Sequence, residues 1–252
     1  MDLLRAIRGY EAAQAREHSP DGGRLLEIGA GRGHQALYFQ ELGFRVDAID
    51  VESSSHLEHA VFPVQVYDGA RIPFPDETFD VVFSSNVLEH VPACDELLRE
   101  ISRVTKGDGV MLHILPTACW RIWTNLAHYL WVLRLVTSRG TDDSPAERPT
   151  RPSVESDDPG RRSLWRLLRK GLFPFRHGIR GNWLTETYFF SRLRWKKTFR
   201  DAQLRVRTRI DTGIFYTGYG IPGVSCSMAT RSKLARWLGS ATALFVLDKR
   251  GS

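Results

Sequence analysis

The residues with the clearest chemical potential form a short turn near position 30. In the run Glu27-Ile28-Gly29-Ala30-Gly31-Arg32-Gly33, an acid stands two residues before the first of three alternating glycines. Glycines permit a sharp bend and let backbone N–H groups approach a ligand closely. The G-x-G-x-G spacing differs from the G-x-G-x-x-G of dinucleotide sites. Glu27 would repel a pyrophosphate, whereas it would attract a cationic ligand such as a sulfonium that carries an α-ammonium group.

The elements that must position this turn alternate along the first half of the chain. Short apolar runs predict strands, and the segments between them have helical spacing. The predicted strands are residues 24–29, 44–49, 62–67, 79–86 and 110–115, with helices at 33–42 and 96–104 and a turn at 106–109. This alternation is typical of a parallel sheet with crossover helices.

The pattern changes after Pro116. Residues 118–137 predict a helix, which Arg121, Asn125 and His128 make amphipathic rather than membrane-spanning. Beyond it, the sequence predicts a polar loop at residues 138–160 and a strongly basic segment at 161–181. A helix at 185–202 and strands at 204–210 and 241–247 follow.

Together these patterns predict one α/β domain of Rossmann-like architecture. We expect a seven-stranded, mostly parallel sheet with helices on both faces and a helical insertion after the fifth strand. Residues 1–117 form the ligand-binding half, and residues 118–184 form the insertion, which covers an acceptor or faces a membrane. Residues 185–252 supply the remaining helix and strands. The N-terminal twenty residues predict an amphipathic helix and not a signal peptide.

The charge is distributed unevenly along the 252 residues. Residues 1–117 carry 10 Lys and Arg against 19 Asp and Glu, whereas residues 118–252 carry 25 against 10. The basic half favours an anionic acceptor or membrane surface, and two solvated surfaces of different composition are the alternative. Three widely separated cysteines favour a reducing compartment and argue against a structural metal. We expect a cytoplasmic protein, with attachment to the inner membrane face left open.

Four segments, in order, resemble the class I S-adenosylmethionine-dependent methyltransferases. They are LLEIGAGRGHQAL, VDAIDVE, YDGARIPFPDETFDVVFSSNVLEHV and LLREISRVTKGDGVMLHILPT. The resemblance is nearest to the type 11 branch, which includes ubiquinone- and menaquinone-biosynthesis enzymes, and it covers residues 24–117. It implies S-adenosylmethionine as the cofactor and methyl transfer as the reaction.

The resemblance also implies which residues hold the cofactor. They are Glu27, Gly29, Ala30, Gly31, Gly33, Asp50, Val51, Asp68, Gly69, Ser85 and Asn86. Asp50 would accept hydrogen bonds from both ribose hydroxyls, since a carboxylate has two oxygens, and a helix N-cap is the alternative role. Asp68 would accept from the adenine amino group, and a turn-forming Asp-Gly pair is the alternative. Ser85 and Asn86 would lie near the transferring methyl group.

Two residues after the fourth strand are candidates for proton transfer. His90 could deprotonate a hydroxyl near neutral pH, with Glu89 beside it, and structural hydrogen bonding is the alternative for both. Some quinone and small-RNA methyltransferases resemble ExxEH at this point and bind a divalent cation. In this chain Asn86 stands in the first position, so we predict no metal.

Recognition of the acceptor must come from later residues. The candidates for its pocket are His113, His177, Tyr216 and Tyr219, for which core or loop packing is the alternative. Residues 161–172 place Leu and Arg side chains on different faces, which suits a helix on an anionic bilayer or one that caps the site.

These observations favour a methyltransferase that acts at an oxygen of a small-molecule, sugar or lipid-linked acceptor. A nucleic-acid (RNA) methyltransferase is one alternative, against which the lack of a recognised nucleic-acid module counts. A non-catalytic cofactor-binding or membrane-associated protein of the same fold is the other. The sequence does not predict an oligomeric state.

Overall fold

Seven strands form one sheet whose spatial order differs from the chain order. The computed structural model describes residues 3–54, 59–137, 173–219 and 226–250. The strands are β1 (Arg24–Ile28), β2 (Arg45–Val51), β3 (Gln65–Tyr67), β4 (Phe79–Ser85), β5 (Thr105–Pro116), β6 (Leu204–Asp211) and β7 (Thr242–Lys249). They lie in the order β3-β2-β1-β4-β5-β7-β6. The first five are parallel, and β7 runs antiparallel to both β5 and β6.

Helices cover both faces of this sheet. They are α1 (Leu3–Arg16), α2 (His34–Glu41), α3 (Cys94–Val104), α4 (Ala118–Thr137), α5 (Glu186–Phe189), α6 (Arg192–Asp201) and α7 (Met228–Leu238). Leu98 of α3 and Phe199 of α6 belong to the apolar cluster on one face, and Ala12 of α1 and Phe39 of α2 to the cluster on the other. Because both faces are covered, the central strands are almost continuously apolar. The prediction of a Rossmann-like α/β fold is confirmed.

Two strand boundaries differ from the prediction by three residues or more. β3 begins at residue 65, not 62, because Phe62 packs instead against the turn at Gly33. The predicted turn at 106–109 lies within β5, where the pairing with β4 is irregular between Phe79 and Val81. Residues 106–109 therefore bulge from the ladder rather than separating two elements.

The helices after the insertion also differ. The predicted helix 185–202 is two helices, because Ser191 is extended and its side chain accepts the N–H of Arg194 as the N-cap of α6. Helix α7 was not predicted, although Ser227 caps it in the same way. The predicted loop 138–160, the basic segment 161–172 and residues 220–223 lie outside the described residues.

Helix α4 buries its polar face. Arg121 is 1% exposed and His128 is fully buried, whereas Leu130 on the other side is 60% exposed. The polar face turns inward because Arg121 lies 3.0 Å from Glu186 and donates to the carbonyl of Phe175 at 2.7 Å. Among the helices in the described ranges, none is long and apolar enough to cross a membrane.

The buried pair of Arg121 and Glu186 leads to a stability prediction. Replacing one partner of a buried ion pair leaves an uncompensated charge, so Arg121→Met should lower the free energy of unfolding by about 3–5 kcal/mol. The measurement is urea unfolding followed by circular dichroism. Arg192→Met, at an exposed position on α6, is the control and should change stability little. A loss for Arg121→Met no larger than for the control would contradict this account.

Candidate functional site

The site lies at the carboxyl edge of the parallel strands. The strand order reverses between β1 and β4, because the chain proceeds from β1 to β3 on one side and from β4 to β5 on the other. Open α/β sheets bind ligands outside the strand ends at such a switch point. The turn after β1, the ends of β2 and β3, and residues Ser85 and Asn86 at the end of β4 all meet here.

The glycine turn is built for close approach of the backbone. Gly29, Gly31 and Gly33 all have positive φ angles, of 70°, 56° and 77°. A side chain at Gly29 would collide with Val87, which follows β4. The N–H of Gly31 donates to Asp50 Oδ2 at 2.8 Å, so the end of β2 holds the turn in place. The predicted cofactor residues of β1 and β2 are therefore brought together.

Glu27 is a buried acid without a full set of partners. It is 2% exposed, and no described residue forms a hydrogen bond with its Oε2 atom. Burial raises the pKa of Glu27 to about 8, and the nearby Asp50 adds to the shift, while the Ala36 amide and Arg8 oppose it. An unpaired buried carboxylate is costly and suits a cationic ligand.

Asp50 and Asp68 lie on neighbouring strand ends but differ in environment. Asp50 is buried, and its Oδ1 accepts the N–H of Val51 at 2.7 Å. Asp68 is exposed, and its Oδ1 accepts the N–H groups of Ala70 and Arg71 at 2.8 and 2.9 Å, which lower its pKa. The turn-forming role that the sequence left open for Asp68 is thus present, and its contact with adenine stays a prediction.

Gly69 brings the end of β3 close to the end of β2. Its φ angle is 78°, and an added Cβ would lie 3.1 Å from Val51 Cγ1. A larger residue would be strained in this conformation and would push against Val51. The close spacing keeps Asp68 at the same edge as Asp50, which fits a ligand that spans both strand ends.

Sequence reasoning missed a polar network from α1. Glu11 is fully buried, and its carboxylate accepts from Arg8 at 2.7 Å, Ser85 at 3.2 Å and Thr242 at 2.8 Å. Tyr216 also donates to it at 3.4 Å. A signal existed, because Glu11 shares the apolar face of α1 with Ile7 and Ala15 at helical spacing. An acid on an apolar face requires a buried partner.

Three predicted residues from two segments of the chain meet beside this network. Glu89 and His90 lie in the short 3₁₀ turn Leu88–His90 after β4, and His177 comes from the insertion. One ligand-type atom from each lies within 4.8 Å of the other two. Glu89 is buried, and neither of its carboxylate oxygens has a hydrogen-bond partner among the described residues. Burial raises the pKa of Glu89 to about 8, and Arg8 opposes the shift.

The buried ion pair of α4 and α5 positions His177. Glu186 accepts the N–H of His177 at 2.8 Å and that of Gly178 at 2.7 Å, while Arg121 balances its charge. Gly178 lies so close to the 3₁₀ turn that an added Cβ would be 3.0 Å from the Glu89 carbonyl oxygen. The insertion is thereby fixed against the end of β4.

The other predicted acceptor residues do not join this group of three. His113 is fully buried, bonds to Ser84 at 2.8 Å and stacks on Phe199, so it belongs to the core and does not face an open cleft. Tyr216 joins the Glu11 network. Tyr219 lies beside α4, where its hydroxyl is 3.1 Å from Nδ1 of His128.

Comparison with known proteins also indicates a methyltransferase domain. Residues 26–113 match the family model described as a methyltransferase domain. An uncharacterized methyltransferase of Mycobacterium avium (strain 104) is 36% identical over 127 residues, which are 47% of this chain and 46% of that protein. The chain therefore matches about half the length of this curated relative.

Two solved structures share the fold. A SAM-dependent methyltransferase from Aquifex aeolicus aligns with a TM-score of 0.51 and 13% identity, over 98% of this chain and 93% of that one. Geranyl diphosphate C-methyltransferase from Streptomyces coelicolor A3(2), in complex with Mg²⁺, geranyl diphosphate and S-adenosyl-L-homocysteine, aligns with a TM-score of 0.52 and 12% identity, over 98% and 80%. With this fold, the glycine turn and the matched segment, the chain carries a class I S-adenosylmethionine-dependent methyltransferase domain of the type 11 branch.

Proposed function

We propose that the protein transfers the methyl group of S-adenosylmethionine to an oxygen of a small-molecule, sugar or lipid-linked acceptor. The observation that carries the cofactor assignment is the buried carboxylate of Glu27 beside a glycine turn, whose Oε2 atom has no hydrogen-bond partner among the described residues. A cationic ligand would complete the coordination of this acid, and S-adenosylmethionine carries both a sulfonium and an ammonium group. The domain family supports the same cofactor.

The residues at this edge of the sheet would each bind a different part of the cofactor. Glu27 and the glycine turn, including Ala30, would hold the methionine part. Asp50 would accept from the ribose hydroxyls, because each of its oxygens accepts one backbone N–H and has a second lone pair. Asp68 and Gly69 would face the adenine. When bound, S-adenosylmethionine supplies a methyl group already activated on a sulfonium.

The chain's own task is then to align the acceptor and exclude water. Alignment of reacting groups can lower a barrier by about 7–11 kcal/mol. Val87 lies against Gly29 of the glycine turn and directly precedes the 3₁₀ turn, so an acceptor oxygen held by Glu89, His90 and His177 would be close to the cofactor. A hydroxyl acceptor must lose its proton, which favours reaction at oxygen beside such groups.

The decisive experiment identifies the acceptor class. Purified protein is incubated with methyl-labelled S-adenosylmethionine and bacterial cell extract, and the label is then fractionated into lipid, glycan, protein, nucleic acid and small molecules. We expect label in the lipid, glycan or small-molecule fraction, and much less of it with an Asp50→Ala control. Label in RNA would support the nucleic-acid alternative, and no transfer to any fraction would contradict the proposal.

Removing the carboxylate at the end of β2 should weaken cofactor binding. Hydrogen bonds to a charged group contribute about 1.5–3 kcal/mol, so Asp50→Ala should raise the Kd for S-adenosylmethionine about 10-fold to 100-fold in calorimetry. Asp47→Ala is the matched control on the same strand, where Asp47 pairs with Arg24 at 2.8 Å. Asp50→Asn, which keeps one acceptor oxygen, should fall between the two. Unchanged affinity in a folded Asp50→Ala protein would remove the ribose assignment.

Glu27 should make the stability of the ligand-free protein depend on pH. Its pKa is raised from 4.5 to about 8 in the folded chain, so between these values the folded state holds a proton that the unfolded chain releases. The folded state therefore loses stability as the pH rises through this window, by up to roughly 3 kcal/mol.

The test compares wild type with Glu27→Gln, which cannot titrate at this position. The variant should be increasingly more stable than wild type as the pH rises from 5 to 8 in urea unfolding, and it should bind S-adenosylmethionine more weakly. A stability difference that does not vary with pH would contradict the assignment of an unpaired acid at this position.

A further inference from the structure

Three side chains that commonly ligate metals meet at the acceptor side of the site. We propose that Glu89, His90 and His177 bind one divalent first-row transition-metal ion, of the class of Zn²⁺, Co²⁺ or Mn²⁺. The expected function of the ion, which rests on the proposed methyl transfer, is to hold and acidify the acceptor hydroxyl. Two imidazoles and one carboxylate form a donor set that suits such ions and leaves further coordination positions open.

The geometry is close to that of a binding site. Glu89 Oε1 lies 3.8 Å from His90 Nε2, and the ring centroids of His90 and His177 are 4.8 Å apart. Metal–ligand bonds of about 2.0–2.2 Å place neighbouring ligand atoms about 3 Å apart. Small side-chain rotations would therefore close the three ligand atoms around one ion.

The buried acids near this cluster also favour a bound cation. The two other buried acids near the cluster are paired, Glu11 with Arg8 at 2.7 Å and Glu186 with Arg121 at 3.0 Å. Glu89 has neither a hydrogen-bond donor nor its own arginine among the described residues. Because these two pairs cancel, Glu89 is the buried acid of this cluster that lacks a partner, and a metal ion that displaced its proton would supply one.

The surroundings support ligand roles for both histidines. Trp120 packs edge-on against His177 with centroids 4.6 Å apart, and Glu186 fixes its backbone. Both imidazoles remain partly open to solvent, which leaves room for an acceptor.

The local sequence could not reveal this site. Asn86 stands where a glutamate would suggest a metal motif, and its side-chain amide donates to Ser85 at 3.1 Å. The third ligand instead comes from the insertion, 87 positions after His90 in the chain. The sequence predicts no metal at this position, whereas we propose a metal ion here.

The chemical step balances without another co-reactant. Coordination lowers the pKa of the acceptor hydroxyl, which releases its proton to water. The oxygen lone pair forms the new O–C bond to the methyl group, and the S–C bond breaks with its electron pair going to sulfur. The products are the methyl ether or ester and S-adenosylhomocysteine. Glu89 and His90 thus act as ligands and not as the base.

The test uses the full chain after treatment with a chelator and dialysis. Co²⁺ is added while its visible absorption is recorded, and Zn²⁺, Mn²⁺ and Mg²⁺ binding is measured by calorimetry. We expect one tight ion per chain, with the affinity lowered at least tenfold in Glu89→Gln, His90→Ala and His177→Ala. His59→Ala, at an exposed position outside the cluster, should bind like wild type. Binding that these substitutions do not affect, or no binding, would overturn the proposal.

Two further measurements distinguish the loss of metal binding from unfolding and from failure of the cofactor site. His177→Gln retains polarity at the same backbone position, and its thermal melting shows whether lost binding reflects unfolding. Calorimetry with S-adenosylmethionine on the metal-free protein tests the cofactor site by itself. Cofactor binding without metal binding would reject the metal site alone, whereas metal binding without cofactor binding would reject the methyltransferase proposal.

Discussion

The structure depends on how it compensates carboxylates that are removed from water, because each needs donors or a positive charge nearby. Glu11 and Glu186 are fully buried, and each is paired with an arginine: Glu11 with Arg8 and Glu186 with Arg121. Glu27 and Glu89 are almost as deeply buried, and each retains at least one oxygen without a partner among the described residues. In the proposed function, these two incomplete sites divide the reaction: the first takes the cofactor and the second serves the acceptor.

The paired acids perform a different task, which is to fasten added segments onto the sheet. Glu11 joins α1 to the ends of β4 and β7. Glu186 of α5 binds Arg121 and the N–H of Gly178, and Gly178 lies against the turn that follows β4. The family model covers residues 26–113, which contain β2 to β4 and most of β1 and β5, so α1 and the insertion lie outside it. In the proposed function, recognition of the acceptor would belong to the segments that the ion pairs hold in place.

Local patterns were sufficient for most of the fold and for the cofactor edge. The glycine turn and the strand ends were predictable because strand periodicity and turn chemistry act over a few residues. The role of Glu11 and the meeting of His177 with Glu89 and His90 could not be predicted, because the partners of these residues lie far away in the chain. Helix α4 shows a further limit: its two faces could be predicted, but the direction of the polar face depends on Glu186, 65 positions after Arg121. The break at Ser191 had a local signal, since serine is a preferred N-cap.

The position of β7 has a consequence for synthesis of the protein. This strand lies between β5 and β6, although it is the last to be translated among the described elements. Until residues 242–249 leave the ribosome, β5 has an open edge with unpaired backbone groups, and Glu11 lacks the hydroxyl of Thr242. Contacts between segments so distant in the chain form slowly. The nascent chain is thus most prone to aggregate after its cofactor half has emerged and before its final strand closes the sheet.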